Sequence, residues 1–209
     1  MNRSLDAKKF HRKVKIILLG EYSSGKTSLI VRKNENVFNN YYMSTIGVDF
    51  FSFKTFINEN PILVHVWDTA GEEKFRFIIK SYFNGAQGAL LVFDLTNRNT
   101  FEKLDYWLEQ LDRGTNNFKG KIVVVGAKSD LKSRREVSYE EAEEYCNINN
   151  LRYLECSAKD NINIDESFKV LLEEIVNIPV EAKQPKYLSS FTLDEENMVY
   201  KSKSCCIIQ

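Results

Sequence analysis

The stretch GEYSSGKT at residues 20–27 decides the fold of this chain. Its frame is Gly20, four further residues, and then Gly25, Lys26 and Thr27. The stretch follows the apolar run VKIILL and opens a segment of helical period, which is the order strand, glycine turn, helix. The glycines let backbone N–H groups turn towards phosphate oxygens, the lysine supplies a positive charge, and the threonine hydroxyl can ligate Mg²⁺. The pattern therefore predicts a site for a nucleoside triphosphate.

The residues inside this frame are unusual for such a tight loop, because Tyr22 and Ser23 are bulkier than the filler commonly found there. We nevertheless expect the whole stretch to contact phosphate. The candidate binding residues are Gly20, Tyr22, Ser23, Ser24, Gly25, Lys26, Thr27 and Ser28. The loop alone leaves open whether the bound triphosphate is also cleaved.

Length and composition indicate one domain with a tail. The chain has 209 residues, of which 43% are hydrophobic, and its 29 basic residues equal its 29 acidic ones. This balance argues against nucleic-acid binding, and we expect a monomer with no nucleic-acid partner. Four cysteines form no disulfide framework in a chain of this length and indicate a reducing compartment. No stretch approaches the roughly 20 apolar residues of a membrane span, and VKIILL is too short for a signal peptide.

Short apolar runs alternate with segments of helical period. Strands are predicted at residues 14–20, 48–57, 61–68, 88–95, 121–127 and 151–157, and helices at 25–35, from a cap at Asn99 through Leu111, at 138–148, and from a cap at Asn163 through Ile175. The turn signal NEN joins the second and third strands as a hairpin. This order predicts an α/β fold, with a mostly parallel six-stranded sheet, helices on both faces and one antiparallel edge strand.

The same pattern divides the chain into three parts. Residues 1–12 are a short N-terminal arm, residues 13–176 are the domain, and residues 177–209 are a flexible tail with scattered charges and no sustained period. The basic cluster KKFHRKVK near the start is interpreted as a solvated arm rather than as a partner site.

A second motif, WDTAGEEKF at residues 67–75, places Asp68 at the end of a buried strand. Ligands of open α/β sheets bind at that end, and a carboxylate there can hold Mg²⁺ through water. The N–H of Gly71, three residues later, can meet a γ-phosphate. Alone this motif is a polar turn; together with residues 20–27 it predicts a triphosphate site with a metal.

These motifs together resemble the Ras superfamily of small GTPases and, within it, the Rab branch. The matching stretches are GxxxxGKT at 20–27, STIGVDF at 44–50, WDTAG at 67–71, KSD at 128–130 and SAK at 157–159. They stand in the family's order across residues 13–176. The resemblance implies a P-loop GTPase that binds GTP or GDP with Mg²⁺ and hydrolyses GTP to GDP and phosphate.

The resemblance also implies roles for individual residues. Mg²⁺ would be held by Thr27, Thr45 and Asp68, and catalysis would involve Lys26, Gly71 and the residue at position 72. The guanine base would be bound by Phe38, Ala127, Lys128, Asp130, Ser157, Ala158 and Lys159. Among these, Asp130 would select guanine over adenine.

Three positions depart from the family's pattern. Ala127 replaces an asparagine that bonds the base and ties the base loop to the phosphate loop, and losing one buried hydrogen-bonding group costs ~1–3 kcal/mol. Glu72 replaces the catalytic glutamine that orients the attacking water, so we expect slower hydrolysis. Tyr22 stands where the arginine of a GTPase-activating protein (GAP) would enter, and its volume should crowd that arginine. We therefore expect weaker nucleotide binding, slower hydrolysis, or both.

The chain ends in CCIIQ, and Cys206 opens a C-a-a-X box for prenylation. A terminal Gln in a lone box typically suggests farnesyl, whereas the pair of Cys205 and Cys206 resembles Rab endings with two geranylgeranyl groups. One lipid binds a membrane only marginally, and the tail is not a polybasic patch. We therefore favour two lipids, one on each cysteine.

The sequence thus predicts a Rab-like switch in vesicle traffic, on the cytosolic face of an intracellular membrane and cycling with the cytosol. Its expected partners are effectors, an exchange factor, a GAP and, by resemblance, a GDP-dissociation inhibitor and a prenyltransferase with its escort protein. The alternative is a membrane-tethered adaptor that holds guanine nucleotide and hardly hydrolyses it. An ATP-using P-loop enzyme is a distant third, because Asp130 and residues 157–159 favour guanine.

Overall fold

The computed structural model describes residues 12–39, 44–71 and 81–177 of the protein. Its strands are β1 (Arg12–Leu19), β2 (Val48–Ile57), β3 (Asn60–Thr69), β4 (Gly88–Asp94), β5 (Lys121–Ala127) and β6 (Arg152–Glu155). Its helices are α1 (Lys26–Glu35), α2 (Arg98–Glu102), α3 (Leu104–Thr115), α4 (Tyr139–Ile148) and α5 (Ile164–Val176). A short 3₁₀ turn spans Lys132–Arg134.

The strands form one six-stranded sheet in the order β2-β3-β1-β4-β5-β6. The edge strand β2 runs antiparallel to β3, and every other neighbouring pair is parallel. Each residue of β4 is buried, as expected for a central strand covered on both faces, whereas burial along β2 largely alternates. The predicted fold class, including the antiparallel hairpin at the edge, is confirmed.

Helices cover both faces of the sheet and bury two apolar cores. Against one face, α1 and α5 contribute Leu29, Ile30, Ile164, Phe168, Leu171, Leu172 and Ile175. Against the other face, α3 and α4 contribute Leu104, Trp107, Leu111, Ala142 and Cys146. Apolar side chains at near-helical spacing therefore put each helix on its face of the sheet.

The topology of the sheet positions the candidate site. Strand β1 pairs with β4, yet the helix after β1 packs on one face and the helices after β4 pack on the other. In open α/β sheets such a reversal opens a crevice at the carboxyl ends of the strands, and ligands bind there. Residues 20–28 follow β1, residues 128–130 follow β5, and residues 157–159 follow β6. These predicted motifs thus lie together at the carboxyl ends of the parallel strands.

The predicted helix with a cap at Asn99 is wrong in two respects. The cap is Asn97, whose side chain accepts a hydrogen bond from the backbone N–H of Asn99 at 3.2 Å. The helix also stops after Glu102, so α2 and α3 are separate elements joined at Lys103. The apolar spacing continued through this break and gave no sign of it.

The other two predicted caps have different outcomes. Ser138 caps α4 as predicted, since its hydroxyl accepts from the N–H of Glu141 at 3.1 Å. Asn163 does precede α5, but it adopts φ 54° and makes no capping bond. Its side chain instead donates to the carbonyl of Glu155 at 2.8 Å. Within the described parts of the chain, no helix has the length and apolar content to cross a membrane.

Candidate nucleotide-binding site

The loop between β1 and α1 is a tight turn that crowds its neighbours. Gly20 has φ +138°, and a β-carbon there would overlap the carbonyl oxygen of Val92. Ser23 has a left-handed φ of 61°. Such a conformation costs a residue with a β-carbon roughly 1–2 kcal/mol. The unusual residues Tyr22 and Ser23 are therefore accommodated in the turn, with backbone strain at Ser23.

Lys26 is held inside this loop by backbone carbonyls. Its Nζ donates to the carbonyls of Gly20 and Glu21, each at 2.8 Å. Burial lowers the pKa of Lys26 to about 8, and the negative charges of Asp68 and Glu21 oppose that shift. A phosphate oxygen beside the ammonium would favour its charged form. The two carbonyls therefore hold this cation in the loop that the sequence assigns to phosphate.

Oxygen atoms of three side chains meet next to Lys26. Thr27 Oγ1 donates to Asp68 Oδ2 at 2.6 Å and lies 2.7 Å from Thr45 Oγ1. Burial raises the pKa of Asp68 to about 6, while the Thr27 hydrogen bond and the Lys26 charge oppose it. Asp68 Oδ1 is buried without a hydrogen-bond partner, the only such side-chain atom in the described residues. Hydroxyls and a carboxylate with a free acceptor fit a hard cation such as Mg²⁺.

Gly71 closes one side of the cleft. A β-carbon on Gly71 would overlap the backbone of Glu21 and Tyr22, so only glycine allows this approach to the phosphate loop. The cleft is lined by Tyr22, Ser23, Gly25, Lys26, Thr27, Ser28, Thr45, Thr69, Ala70 and Gly71. Ser24, by contrast, is fully buried. Thr69 and Ala70 were missed, although they stand inside the WDTAG motif and a reading of that motif as one unit would have included them.

Tyr22 stands at the mouth of this cleft with 44% of its surface exposed. Its hydroxyl lies 3.4 Å from Ser44 Oγ, in the residue before Thr45. Its side chain therefore reaches from the phosphate loop to the segment that carries a candidate metal ligand. Glu72, the remaining candidate for catalysis, lies outside the described residues.

The two stretches predicted to bind the base are joined in the structure. Ser157 Oγ donates to Asp130 Oδ1 at 2.7 Å. Ser157 Oγ also accepts a hydrogen bond from the N–H of Asp160 at 3.0 Å. Lys128 has φ 66°, and its Nζ lies 2.6 Å from Asp94 Oδ2. Asp94 was missed, although an acidic residue at the end of a buried strand was the signal that had identified Asp68.

Ala127, at the end of β5, is 4% exposed and packs against the phosphate loop. A β-carbon added to Gly25 would lie 3.2 Å from Ala127 Cβ. The two loops therefore approach each other closely here, and the methyl group of an alanine can offer only van der Waals contact. Phe38 lies beyond the end of α1 with a half-buried side chain.

Arg32, in the last turn of α1, is a residue that the sequence did not single out. Its Nε donates to the carbonyl of Ala158 at 2.6 Å, and its Nη2 donates to the carbonyl of Lys159 at 3.0 Å. A basic residue near a helix C-terminus is ordinarily a solvated charge that favours the helix dipole. No side-chain pattern could have shown that its acceptors are backbone carbonyls of the base loop.

An exposed aromatic cluster lies on the β2–β3 hairpin. Phe50 is 55% exposed, and its ring meets that of Trp67 edge-on at a centroid distance of 4.9 Å. The ring of His65 lies 5.3 Å from Phe50, and Lys15 Nζ lies 4.5 Å from the Trp67 ring centroid. Apolar side chains grouped on a surface in this way are typical of protein–protein contacts.

The fold and the paired loops are those expected of a small GTPase. The model of the Ras family matches residues 15–177. Ras-related protein Rab-13 of Bos taurus is 36% identical over 170 residues, which cover 81% of this chain and 83% of that protein. GTP-binding protein YPT1 of Saccharomyces cerevisiae is 32% identical over 200 residues, or 92% and 96% of the two chains. GTP-binding protein ypt3 of Schizosaccharomyces pombe is 39% identical over 165 residues, or 78% and 76%.

The chain therefore belongs to the Ras family, among its Rab-like small GTPases. The family resemblance inferred from the motifs is confirmed. Hydrolysis of GTP is the reaction of this family, so the predicted enzyme class is confirmed with it.

Proposed function

We propose that this protein is a guanine-nucleotide switch of membrane traffic and that the cleft described above is its nucleotide site. The observation that carries the proposal is the convergence of Thr27, Thr45 and Asp68 beside the buried Lys26, with one carboxylate oxygen free. In this proposal the three oxygen-bearing side chains hold Mg²⁺. When bound, the ion supplies positive charge that neutralises phosphate oxygens.

The chain's own residues prepare the phosphate half of the site. Lys26, fixed by two carbonyls, binds the β- and γ-phosphate oxygens. Helix α1 begins at Lys26 after a glycine cap that makes no side-chain hydrogen bond, so its first amides can serve an anion. The Gly71 N–H meets the γ-phosphate. Residues 20–28 together enclose the triphosphate and exclude water from it.

The base half gives the site its specificity. Asp130 accepts hydrogen bonds from the N1–H and 2-amino groups of guanine, and Ser157 fixes that carboxylate with a bond of 2.7 Å. Lys128 lies along the base, and the Ala158 N–H donates to the guanine carbonyl. Phe38, Ala127 and Lys159 complete the pocket. Adenine presents no matching donors to Asp130, so GTP is preferred to ATP.

Hydrolysis is slowed at position 72 in this proposal. A glutamate there can accept a proton from the attacking water, but it lacks the amide donor and brings negative charge towards the γ-phosphate. Lys26 and the Gly71 N–H would then stabilise the transition state together with the positive charge that Mg²⁺ would supply. The reaction remains GTP to GDP and phosphate, at a rate below that of a glutamine enzyme.

The remaining parts of the chain serve the membrane cycle in this proposal. Residues 13–176 form the GTPase domain, and residues 177–209 form a tail with prenyl groups on Cys205 and Cys206, which lie outside the described residues. The exposed pair of Phe50 and Trp67 belongs to the surface that effectors contact in the GTP state. An exchange factor, a GAP, a GDP-dissociation inhibitor and a prenyltransferase with its escort complete the cycle at the cytosolic face of an intracellular membrane.

The test is single-turnover hydrolysis of GTP loaded onto the purified full chain with Mg²⁺, with the bound nucleotide identified by chromatography at each time. We expect slow, steady conversion to GDP, and loss of the nucleotide when EDTA removes the metal. Binding of ATP as tightly as GTP, or retention of nucleotide in EDTA, would contradict the proposed site.

The second candidate is an adaptor that holds GTP and hardly cleaves it. The observation that favours it is Tyr22, which stands at the mouth of the cleft with its hydroxyl 3.4 Å from Ser44 Oγ. A side chain of that volume crowds the path by which a GAP arginine would reach the γ-phosphate. In the same experiment this candidate predicts tightly bound GTP that stays intact.

A further inference from the structure

We propose that Arg32 is a positioning residue for guanine recognition, because it holds the loop of residues 157–160 by two backbone carbonyls and thereby orients Asp130. The proposal rests on the proposed function in one respect, namely that Asp130 binds the guanine ring. It goes beyond that function by assigning part of the base specificity to a helix residue outside the base-binding motifs.

The contacts of Arg32 form a fork on consecutive carbonyls. Nε donates to Ala158 O at 2.6 Å and Nη2 donates to Lys159 O at 3.0 Å. A third bond, from Nη1 to the carbonyl of Asn36 at 2.8 Å, fastens the same guanidinium to the end of α1. A planar guanidinium with fixed donors restrains orientation as well as distance, which an ammonium cannot do.

A continuous chain of covalent and hydrogen bonds leads from these Arg32 contacts to the carboxylate of Asp130. The carbonyl of Lys159 and the N–H of Asp160 belong to one planar peptide group, so fixing the first fixes the second. The Asp160 N–H donates to Ser157 Oγ at 3.0 Å, and Ser157 Oγ donates to Asp130 Oδ1 at 2.7 Å. Arg32 therefore acts on Asp130 through one peptide group and one hydroxyl.

The replacement at position 127 gives this connection added weight. The family's asparagine ties the base loop to the phosphate loop, and Ala127 offers only its methyl group. Helix α1 begins at Lys26 in the phosphate loop and carries Arg32 near its other end. The helix thus links the two halves of the site, with Lys26 at the phosphates and Arg32 at the base loop.

A simpler role for Arg32 is to stabilise the end of α1 through Asn36, with no effect on recognition. The two roles differ in what they do to inosine diphosphate (IDP), which lacks the 2-amino group of guanine. A misoriented Asp130 loses two hydrogen bonds to GDP but only one to IDP. A merely loosened helix weakens both nucleotides by the same factor.

The experiment measures the affinities of GDP and IDP by displacement of a fluorescent GDP analogue from the full chain, for wild type, Arg32→Ala and Arg32→Lys. If each hydrogen bond that a misoriented Asp130 loses weakens binding about threefold, which lies within the usual range for one hydrogen bond, Arg32→Ala should weaken GDP about tenfold and IDP about threefold. The ratio of GDP to IDP affinity then falls about threefold. Arg32→Lys should keep the fold and still lower this ratio, because lysine lacks the fork.

The matched control is Lys33→Ala, which removes the neighbouring cation of the same helix. Lys33 bonds Asp165 at 2.6 Å and should leave the ratio of the two affinities unchanged. Equal weakening of GDP and IDP in both Arg32 variants, or no weakening, overturns the proposal. Failure of the proposed function is a separate result: the wild type would not bind GDP, or Asp130→Ala would leave the ratio as it was.

Discussion

The phosphate half and the base half of the site are built in different ways. On the phosphate side, Lys26 bonds carbonyls only five and six residues before it in the same loop. On the base side, Asp130 and its partner Ser157 are 27 residues apart, and Arg32 and the carbonyl it holds at Ala158 are 126 residues apart. The cradle of Lys26 is thus a local turn, whereas the base half, like the pair of Thr27 and Asp68 beside that cradle, is assembled from separate elements of the fold.

This difference separates the expected effects of the unusual residues. In the proposed site Tyr22 is assigned to the γ-phosphate side, and so is Glu72 from its place in the motif WDTAGEEKF, so both should change the rate of hydrolysis. Ala127 belongs to the proposed base pocket, so it should change the affinity for nucleotide. If the two halves work independently, variants of Tyr22 and Glu72 in the phosphate half should leave nucleotide affinity nearly unchanged. Variants of Ala127 in the base half should leave the rate of hydrolysis nearly unchanged.

The largest effect is expected for Lys26→Met, because it removes the charged donor fixed in the phosphate loop. Charge-assisted hydrogen bonds to phosphate are the strong ones, and we expect GDP affinity to fall at least about a hundredfold. Equilibrium titration with a fluorescent GDP analogue measures this change. Lys33→Met, on the same helix, is the control and should bind normally; a loss of less than tenfold in Lys26→Met would mean that the loop is not the main anchor.

The next effect is expected for Glu72→Gln. The glutamine side chain would restore an amide N–H that can donate a hydrogen bond in the transition state, and it would remove a negative charge near the γ-phosphate. We therefore expect single-turnover hydrolysis to accelerate about tenfold or more. GDP affinity should stay within about twofold of wild type, since the change is on the phosphate side. Glu73→Gln, at the following position, is the control. An unchanged rate in Glu72→Gln would show that the glutamate is not what slows GTP hydrolysis.

The fold could be predicted well because its signals are local. The strands β2 at 48–57 and β5 at 121–127 have the bounds that apolar runs and the turn NEN predicted. The helix after Asn97 shows the limit of such signals, since the stretch TNRN offers two asparagines as caps and apolar spacing continues across Lys103. Only packing against the sheet decides between such alternatives.

The residues of the candidate site could be predicted where they stand in contiguous motifs, which holds for residues 20–27 and for the stretches 128–130 and 157–159. The phosphate loop and Asp68 come together as their motifs require, whereas Arg32 was missed because its partners are backbone carbonyls far along the chain. Glu21 was missed because its partner, the indole N–H of Trp107, lies far along the chain on α3. Side-chain patterns carry no record of contacts made between distant elements.

An intermediate effect is expected for Ala127→Asn, which restores a polar group between the two loops. One buried hydrogen bond is worth about 1 kcal/mol, so we expect dissociation of the fluorescent GDP analogue to slow about fivefold to tenfold. The rate of GTP hydrolysis should not change. Ala127→Val, which adds volume without a donor, is the control. Slower hydrolysis in Ala127→Asn would show that the halves are coupled.

The smallest effect is expected for Glu21→Ala, and it tests whether the phosphate half is as local as it looks. Glu21 Oε1 accepts from the indole N–H of the buried Trp107 at 3.0 Å, which fastens the loop to α3. Removing the acceptor should cost about 1 kcal/mol of unfolding free energy in urea and raise GDP dissociation only about twofold. Glu21→Gln keeps an acceptor without the charge and should stay close to wild type. If Glu21→Ala instead changed GDP dissociation as strongly as Ala127→Asn, the phosphate loop would depend on distant support as the base loop does.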